Sequence, residues 1–221
     1  MLDNKSRYLQ IAFNYDIRMV KRLLPRVPLS GRILIEAGTP YIKREGMAGI
    51  RYIRRLWHGL IVADIKVADG ALGEVQMVRA AGANAVTVLG NAPRETINLL
   101  LEACSNYGLI SMIDMIGVED PLNVIRRLRK PPDVIVLHLG RDEESTRGKL
   151  IQYRHVNRIR SKFPVLISAA GGVDVKQARS AIFNGANIVV ANIVQPGGIW
   201  RGISAAVDIG EMAQKFLDTI E

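Results

Sequence analysis

One cysteine, Cys104, stands in the whole chain, which excludes an intramolecular disulfide and any metal centre built on clustered thiolates. Its neighbours Leu99, Leu100, Leu101 and Ala103 place it in an apolar helical pattern, so it reads as a buried thiol rather than a nucleophile. Aromatic residues are scarce at 5%, and they are not interleaved with the basic ones, which argues against a nucleic-acid groove despite a formal charge of +9. No apolar run approaches the roughly 18 residues that a membrane-spanning helix needs. The opening residues Met1, Leu2, Asp3, Asn4 and Lys5 lack the charged-then-apolar order of a signal peptide. A cytoplasmic protein that binds neither nucleic acid nor membrane is expected. No Pro-rich or Ser-rich linker and no low-complexity tract divides the chain.

What is present is a long core-forming pattern. The chain has 221 residues, 48% of them hydrophobic and 23% charged, enough for one packed α/β unit spanning 1–221. Its basic residues are spread over helix faces, as in Arg51, Arg54 and Arg55 or Arg126, Arg127, Arg129 and Lys130, and such a field would favour a small anionic substrate. Short β-rich runs alternate eight times with segments of helical period. The strands are expected near Leu9 to Phe13, Arg32 to Glu36, Leu60 to Asp64, Ala85 to Leu89, Leu109 to Ile113, Asp133 to His138, Pro164 to Ser168 and Asn187 to Ala191. The helices are expected to begin near Ile17, Lys43, Leu72, Arg94, Pro121, Thr146, Val175 and Gly202. Alternation implies parallel strands with right-handed crossovers, and eight units close a TIM (β/α)8 barrel, with an open doubly wound sheet as the alternative. An internal echo favours closure: Gly82-Ala83-Asn84-Ala85-Val86 before the fourth strand resembles Gly185-Ala186-Asn187-Ile188-Val189 before the eighth.

A barrel places its chemistry at the C-terminal strand ends. Those ends carry Glu36, Asp64, Lys66, Asp69, Asp114, His138 and Arg141. Each alone is an ordinary turn or cap residue; their convergence on one face is the signal. Glu36, Asp64 and Asp114 offer hard oxygen ligands for Mg²⁺, which takes one or two carboxylates and keeps waters. Lys66 among carboxylates keeps its charge, which suits it to a developing oxyanion rather than to an imine. His138 can move a proton near neutral pH. His58 and His155 lie elsewhere and read as structural or exposed. Gly171-Gly172, ahead of a helix start at Val173 and Asp174, would offer backbone N–H groups to a phosphate.

Five stretches carry a family resemblance: Ile35-Glu36-Ala37-Gly38-Thr39-Pro40, Ile61 to Asp69 with its Asp-x-Lys-x-x-Asp core, Val86-Thr87-Val88-Leu89-Gly90, Asp114-Met115-Ile116-Gly117-Val118 and Ala169-Ala170-Gly171-Gly172-Val173. Over nearly the whole chain the sequence resembles the orotidine 5′-phosphate decarboxylase suprafamily, and within it the 3-hexulose-6-phosphate synthases. The resemblance implies interconversion of D-arabino-3-hexulose 6-phosphate with D-ribulose 5-phosphate and formaldehyde through an enediolate. It implies Mg²⁺ on Glu36 and Asp64, proton transfer by His138, and a homodimer in which Asp69 reaches the neighbouring site. Asp114, Gly171 and Gly172 would bind substrate, as would Asn14 and Asn192. Asn14 stands where the family has an aspartate, and Ala191-Asn192-Ile193-Val194 where it has a Gly-rich phosphate loop. Arg141, three residues after His138, resembles the 3-keto-L-gulonate 6-phosphate decarboxylases, which make decarboxylation the alternative chemistry. A non-catalytic barrel that only binds a phosphate ligand is the reading of another class.

Overall fold

The computed structural model describes residues 2–146 and 150–221. Strand β1 (Tyr8–Phe13) is followed by α1 (Ile17–Leu23), a short 3-10 turn (Leu24–Arg26), β2 (Ile33–Ala37), α2 (Thr39–Leu56), β3 (Ile61–Val67) and α3 (Ala71–Ala80). Then come β4 (Ala85–Leu89), α4 (Arg94–Tyr107), β5 (Ile110–Asp114), α5 (Pro121–Arg126), β6 (Val134–His138), α6 (Arg141–Ser145) and α7 (Val156–Arg160). The chain ends with β7 (Leu166–Ala170), α8 (Val175–Phe183), β8 (Ile188–Val194), a two-residue β9 (Ile203–Ser204) and α9 (Ile209–Thr219). Each of the first eight strands pairs in parallel with its successor, and β1 pairs with β8, so the sheet closes into a TIM barrel and the open-sheet alternative falls.

Side chains alternate along every strand, and the alternation sorts two cores. Tyr8, Ala12, Leu34, Val62, Ala85, Met112, Val134, Val136, Leu166, Ile188 and Val190 fill the barrel interior. The opposite parity, including Leu9, Ile11, Phe13, Ile33, Ile35 and Ile135, packs against the helices. Continuing the inward parity toward the C-terminal strand ends reaches Asn14, Glu36, Asp64, Thr87, Asp114, His138 and Asn192, with Gln10 one step deeper between Tyr8 and Ala12. The apolar barrel thus ends in a polar ring.

The sequence echo has a structural counterpart. Gly82 and Gly185 both take a left-handed φ, 96° and 92°. The Asn84 N–H donates to the Ile61 carbonyl at 2.8 Å, and the Asn187 N–H to the Ile167 carbonyl at 2.7 Å. Each Asn Oδ1 returns the favour, accepting from Ile61 N at 3.0 Å and from Ile167 N at 3.1 Å. Each turn is also clamped by an arginine on its glycine carbonyl, Arg54 on Gly82 and Arg160 on Gly185.

Three helix expectations need correction. The helix expected near Thr146 is replaced by α6, which ends at Ser145, and by α7, which begins at Val156; the stretch between them falls partly outside the described residues. Helix α6 starts directly after β6 because Glu143 caps the Gly140 N–H, and Thr146 has already left helical geometry at φ −97°, ψ 83°. The helix expected near Gly202 begins instead at Ile209, where Asp208 caps the Gly210 and Glu211 N–H groups. Residues 203–204 pair with Ile193 and Val194 as β9. Helix α2 starts four residues before the expected Lys43, at Thr39, and is kinked at Gly46 (φ 60°, ψ −156°).

Candidate active site

The polar ring opens into a cavity of about 360 Å³ whose walls include Asn14, Glu36, Asp64, Lys66, Asp114, His138, Arg141, Gly171 and Asn192. A cavity of about 770 Å³ lies at the other end of the barrel, lined by Cys104, Lys130, Asp133 and Arg160 among others. The smaller one is the better candidate, because chemistry in this fold sits at the C-terminal strand ends and there the titratable groups touch one another. Cys104 is buried in α4, and burial pushes its thiol up to about 12, as expected of a structural cysteine.

Lys66 is the centre of the site. Strand β3 loses register against β4 between Ala63 and Val67, and Lys66 adopts φ 53°, the only left-handed non-glycine among the described residues. That conformation costs on the order of 1–2 kcal/mol for a side chain of this kind. The freed Lys66 N–H donates to Thr87 Oγ1 at 2.9 Å, and the ammonium turns back onto Asp64, at 2.9 and 3.0 Å from its two oxygens, and onto Asp114 Oδ2. Burial disfavours the ammonium, but Asp64 and Asp114 outweigh it and hold its pKa above the ordinary lysine range. Lys66 therefore stays a cation.

Asp114 links Lys66 to His138. Its carboxylate is almost fully buried, faces His138 Nδ1 at 2.9 and 3.0 Å, and accepts the Ile116 N–H at 3.0 Å. Burial alone would raise its pKa; His138 and Lys66 reverse that and hold it well below the carboxylate range. Asp114 answers in kind: burial lowers the His138 pKa, and the carboxylate more than restores it. With Nδ1 committed to Asp114, Nε2 is the nitrogen His138 has available for a substrate proton. Asp114 thus joins the Lys66 ammonium and the His138 ring through one carboxylate.

Asp64 is held on three sides. Thr87 Oγ1 donates to Oδ1 at 2.8 Å, Thr39 Oγ1 lies 2.9 Å from Oδ2, and Lys66 spans both. Glu36, below it, accepts from Gln10 Nε2, while Gln10 Oε1 has no partner. Burial, and then the Asp64 charge, push the Glu36 carboxyl up to about 7. Two carboxylates repelling across a buried space form an electrostatic setting that a divalent cation relieves. Among the described residues no three His, Cys, Asp or Glu side chains form a metal cage. An ion between Glu36 and Asp64 would hold two protein carboxylates and keep its remaining positions for water or substrate oxygens, which suits Mg²⁺.

The remaining expected residues are distributed as follows. Asn14 Nδ2 donates to Asn192 Oδ1 at 2.9 Å, joining the ends of β1 and β8 across the rim. The Arg141 guanidinium lies over the Trp200 ring, 5.0 Å from its centroid. Gly171 borders the cavity and Gly172 an adjoining recess of about 30 Å³. Asp69 does not join the others; it is exposed beyond the end of β3. His58 is exposed and His155 caps α7, both apart from this cluster. Sequence reasoning passed over Thr39, Thr87 and Gln10 as site residues. A polar side chain at inward parity in an apolar strand was the available signal for Gln10 and Thr87.

A family profile described as "Orotidine 5'-phosphate decarboxylase / HUMPS family" matches residues 7–198. The chain belongs to this family. Two curated relatives, each a "Bifunctional enzyme Fae/Hps", come from Methanothrix thermoacetophila and Methanosarcina barkeri; both are 36% identical, over 97% and 96% of this chain. The chain spans about half the length of these relatives, 53% and 52%. Among solved structures, the 3-hexulose-6-phosphate synthase from Salmonella typhimurium superposes with a TM-score of 0.83 at 26% identity, covering 96% of this chain and 98% of that one. The matched stretch 7–198 contains all eight barrel strands. No helix among the described residues is long and apolar enough to cross a membrane.

Proposed function

We propose that the chain is an aldehyde-lyase that interconverts D-arabino-3-hexulose 6-phosphate with D-ribulose 5-phosphate and formaldehyde. The observation that carries the reading is the hydrogen-bonded line Asp64, Lys66, Asp114, His138, which sets a fixed cation beside a histidine with one free nitrogen. In the direction of synthesis, His138 Nε2 takes a proton from C1 of the pentulose phosphate, next to its carbonyl. The negative charge that develops on the enediolate oxygens lies beside the Lys66 ammonium, which is already in place and needs no reorganisation. The enediolate carbon bonds to the carbon of formaldehyde, and the new alkoxide is protonated. Cleavage is the reverse, with the same residues.

Glu36 and Asp64 are the side chains that would hold Mg²⁺. When bound, the ion supplies Lewis acidity toward the substrate's carbonyl and hydroxyl oxygens. The substrate phosphate would lie toward Gly171 and Gly172. The exposed Asp69 is accessible to a second subunit, which accords with a homodimer, and a cytoplasmic setting accords with the sequence features. The similarity to a 3-hexulose-6-phosphate synthase and to Fae/Hps enzymes supports the same chemistry.

The first experiment is consumption of D-ribulose 5-phosphate by purified protein with and without formaldehyde, in Mg²⁺ and again in EDTA. Formaldehyde-dependent formation of hexulose phosphate that EDTA abolishes is expected. Its absence, with CO₂ release from 3-keto-L-gulonate 6-phosphate instead, would favour the decarboxylase reading that Arg141 at the cavity wall suggests. Absence of both activities would leave a phosphate-binding barrel.

A further inference from the structure

Beyond the reacting groups, the place where the substrate phosphate should sit is already filled by a negative charge. Glu144, on α6, lines both the main cavity and the small recess beyond it, together with Leu139 and Gly171. Its carboxylate lies directly against Gly172, whose φ of 62° and missing Cβ make the approach possible; any side chain there would collide with it. Burial raises the Glu144 pKa, and Arg201, through its guanidinium and its backbone N–H, and then Arg141 act against that rise; Arg201 lines the same recess. Arg141, on the wall of the main cavity, is in turn stacked on Trp200, a second contact between α6 and the segment after β8. The Gly171-Gly172 turn and Arg201 in the recess, with Arg141 on the wall of the adjoining cavity, offer a tetrahedral oxyanion backbone N–H groups and positive charge. A glutamate occupies that seat.

We propose that Glu144 is a resident anion that holds the phosphate seat closed in the free protein and is expelled by the phosphate of the substrate, with Arg201 as a phosphate ligand. The inference rests on the reading that the substrate is a sugar phosphate. It also accounts for the absence of a Gly-rich loop after β8, since Arg201, further along the same connection, supplies the positive charge. A phosphate brings a charge of about −1.5 to −2 and three acceptor oxygens against the single charge of a carboxylate, so it wins the seat, but part of its binding energy is used to displace Glu144. Ligands lacking a phosphate cannot displace the glutamate and leave the seat closed.

The test is direct binding of inorganic phosphate, and separately of D-ribulose 5-phosphate, by calorimetry to the full chain and to the Glu144→Gln, Glu144→Ala and Arg201→Ala variants, each checked for folding by its melting transition. Both Glu144 substitutions should tighten phosphate about tenfold, because no charge has to be displaced, and Arg201→Ala should weaken it by a similar factor. The pentulose phosphate should follow the same order, while ribulose without its phosphate should not respond to Glu144. Unchanged or weaker phosphate binding in both Glu144 variants overturns the proposal, and so does an equal response from the unphosphorylated sugar. Because binding is read without turnover, failure here is separable from failure of the aldol reaction.

Discussion

Lys66 carries more of this site than any other side chain, and its role depends on being charged and fixed at once. An ammonium between two buried carboxylates is stabilised by both, and it compensates charges that would otherwise face each other uncompensated. Lys66→Ala is therefore expected to lower turnover by about a hundredfold or more, the scale seen when one preorganised electrostatic partner is removed. It should also lower the melting temperature by a few degrees, because Asp64 and Asp114 lose their common cation. Asp64→Ala, which removes both a Lys66 partner and a carboxylate facing Glu36, is expected to abolish turnover and to weaken Mg²⁺ binding measured by titration. Near-normal turnover in either variant would remove the mechanism.

At the scale of elements, the strand ends decide where side chains point and the turns before β4 and β8 decide where those strands begin. Asn84 and Asn187 make the same pair of bonds to β3 and β7, half a barrel apart. Asn187 is almost completely buried. Replacing either by alanine leaves a strand N–H without its partner, at a cost of about 1–3 kcal/mol. Denaturant unfolding should show Asn187→Ala as the more damaging of the two, since Asn84 lies nearer to solvent and to Arg54. Equal and negligible losses would mean that these turns do not set strand register. The same scale explains why the expected strands 2, 3, 5, 7 and 8 stop short of the observed ones. Their last residues are Ala37, Val67, Asp114, Ala170 and Val194, and the small or polar residues at or just before these ends break the apolar pattern that marks a strand. The site itself hides the end of the element that bears it.

For the whole molecule, the proposed homodimer would bring the exposed Asp69 to a neighbouring subunit. Leu72 and Met77 stand exposed on the helix that follows. Light scattering of the purified chain is expected to give twice the monomer mass. An Asp69→Ala subunit should lower turnover several-fold while leaving that mass unchanged, and substitution of Leu72 and Met77 by Lys should yield monomers. A monomeric native chain would sink the dimer.

The sequence alone determined the eightfold alternation, because hydrophobic period is a local property that each strand and helix writes into its own residues. It also determined which end of the barrel is polar, since parity carried from the apolar core runs directly onto Glu36, Asp64, Asp114 and His138. The Gly-Ala-Asn echo was legible for the same reason. What only the tertiary structure decided were matters of contact between distant segments. Closure of β1 on β8 depends on the summed tilt and stagger of all strands. The left-handed Lys66 depends on Thr87 offering its N–H a partner outside the sheet ladder. The meeting of Glu144 with Gly172 depends on where α6 lies over β7. None of these leaves a local period, because each is a competition between groups that the chain brings together only when it folds.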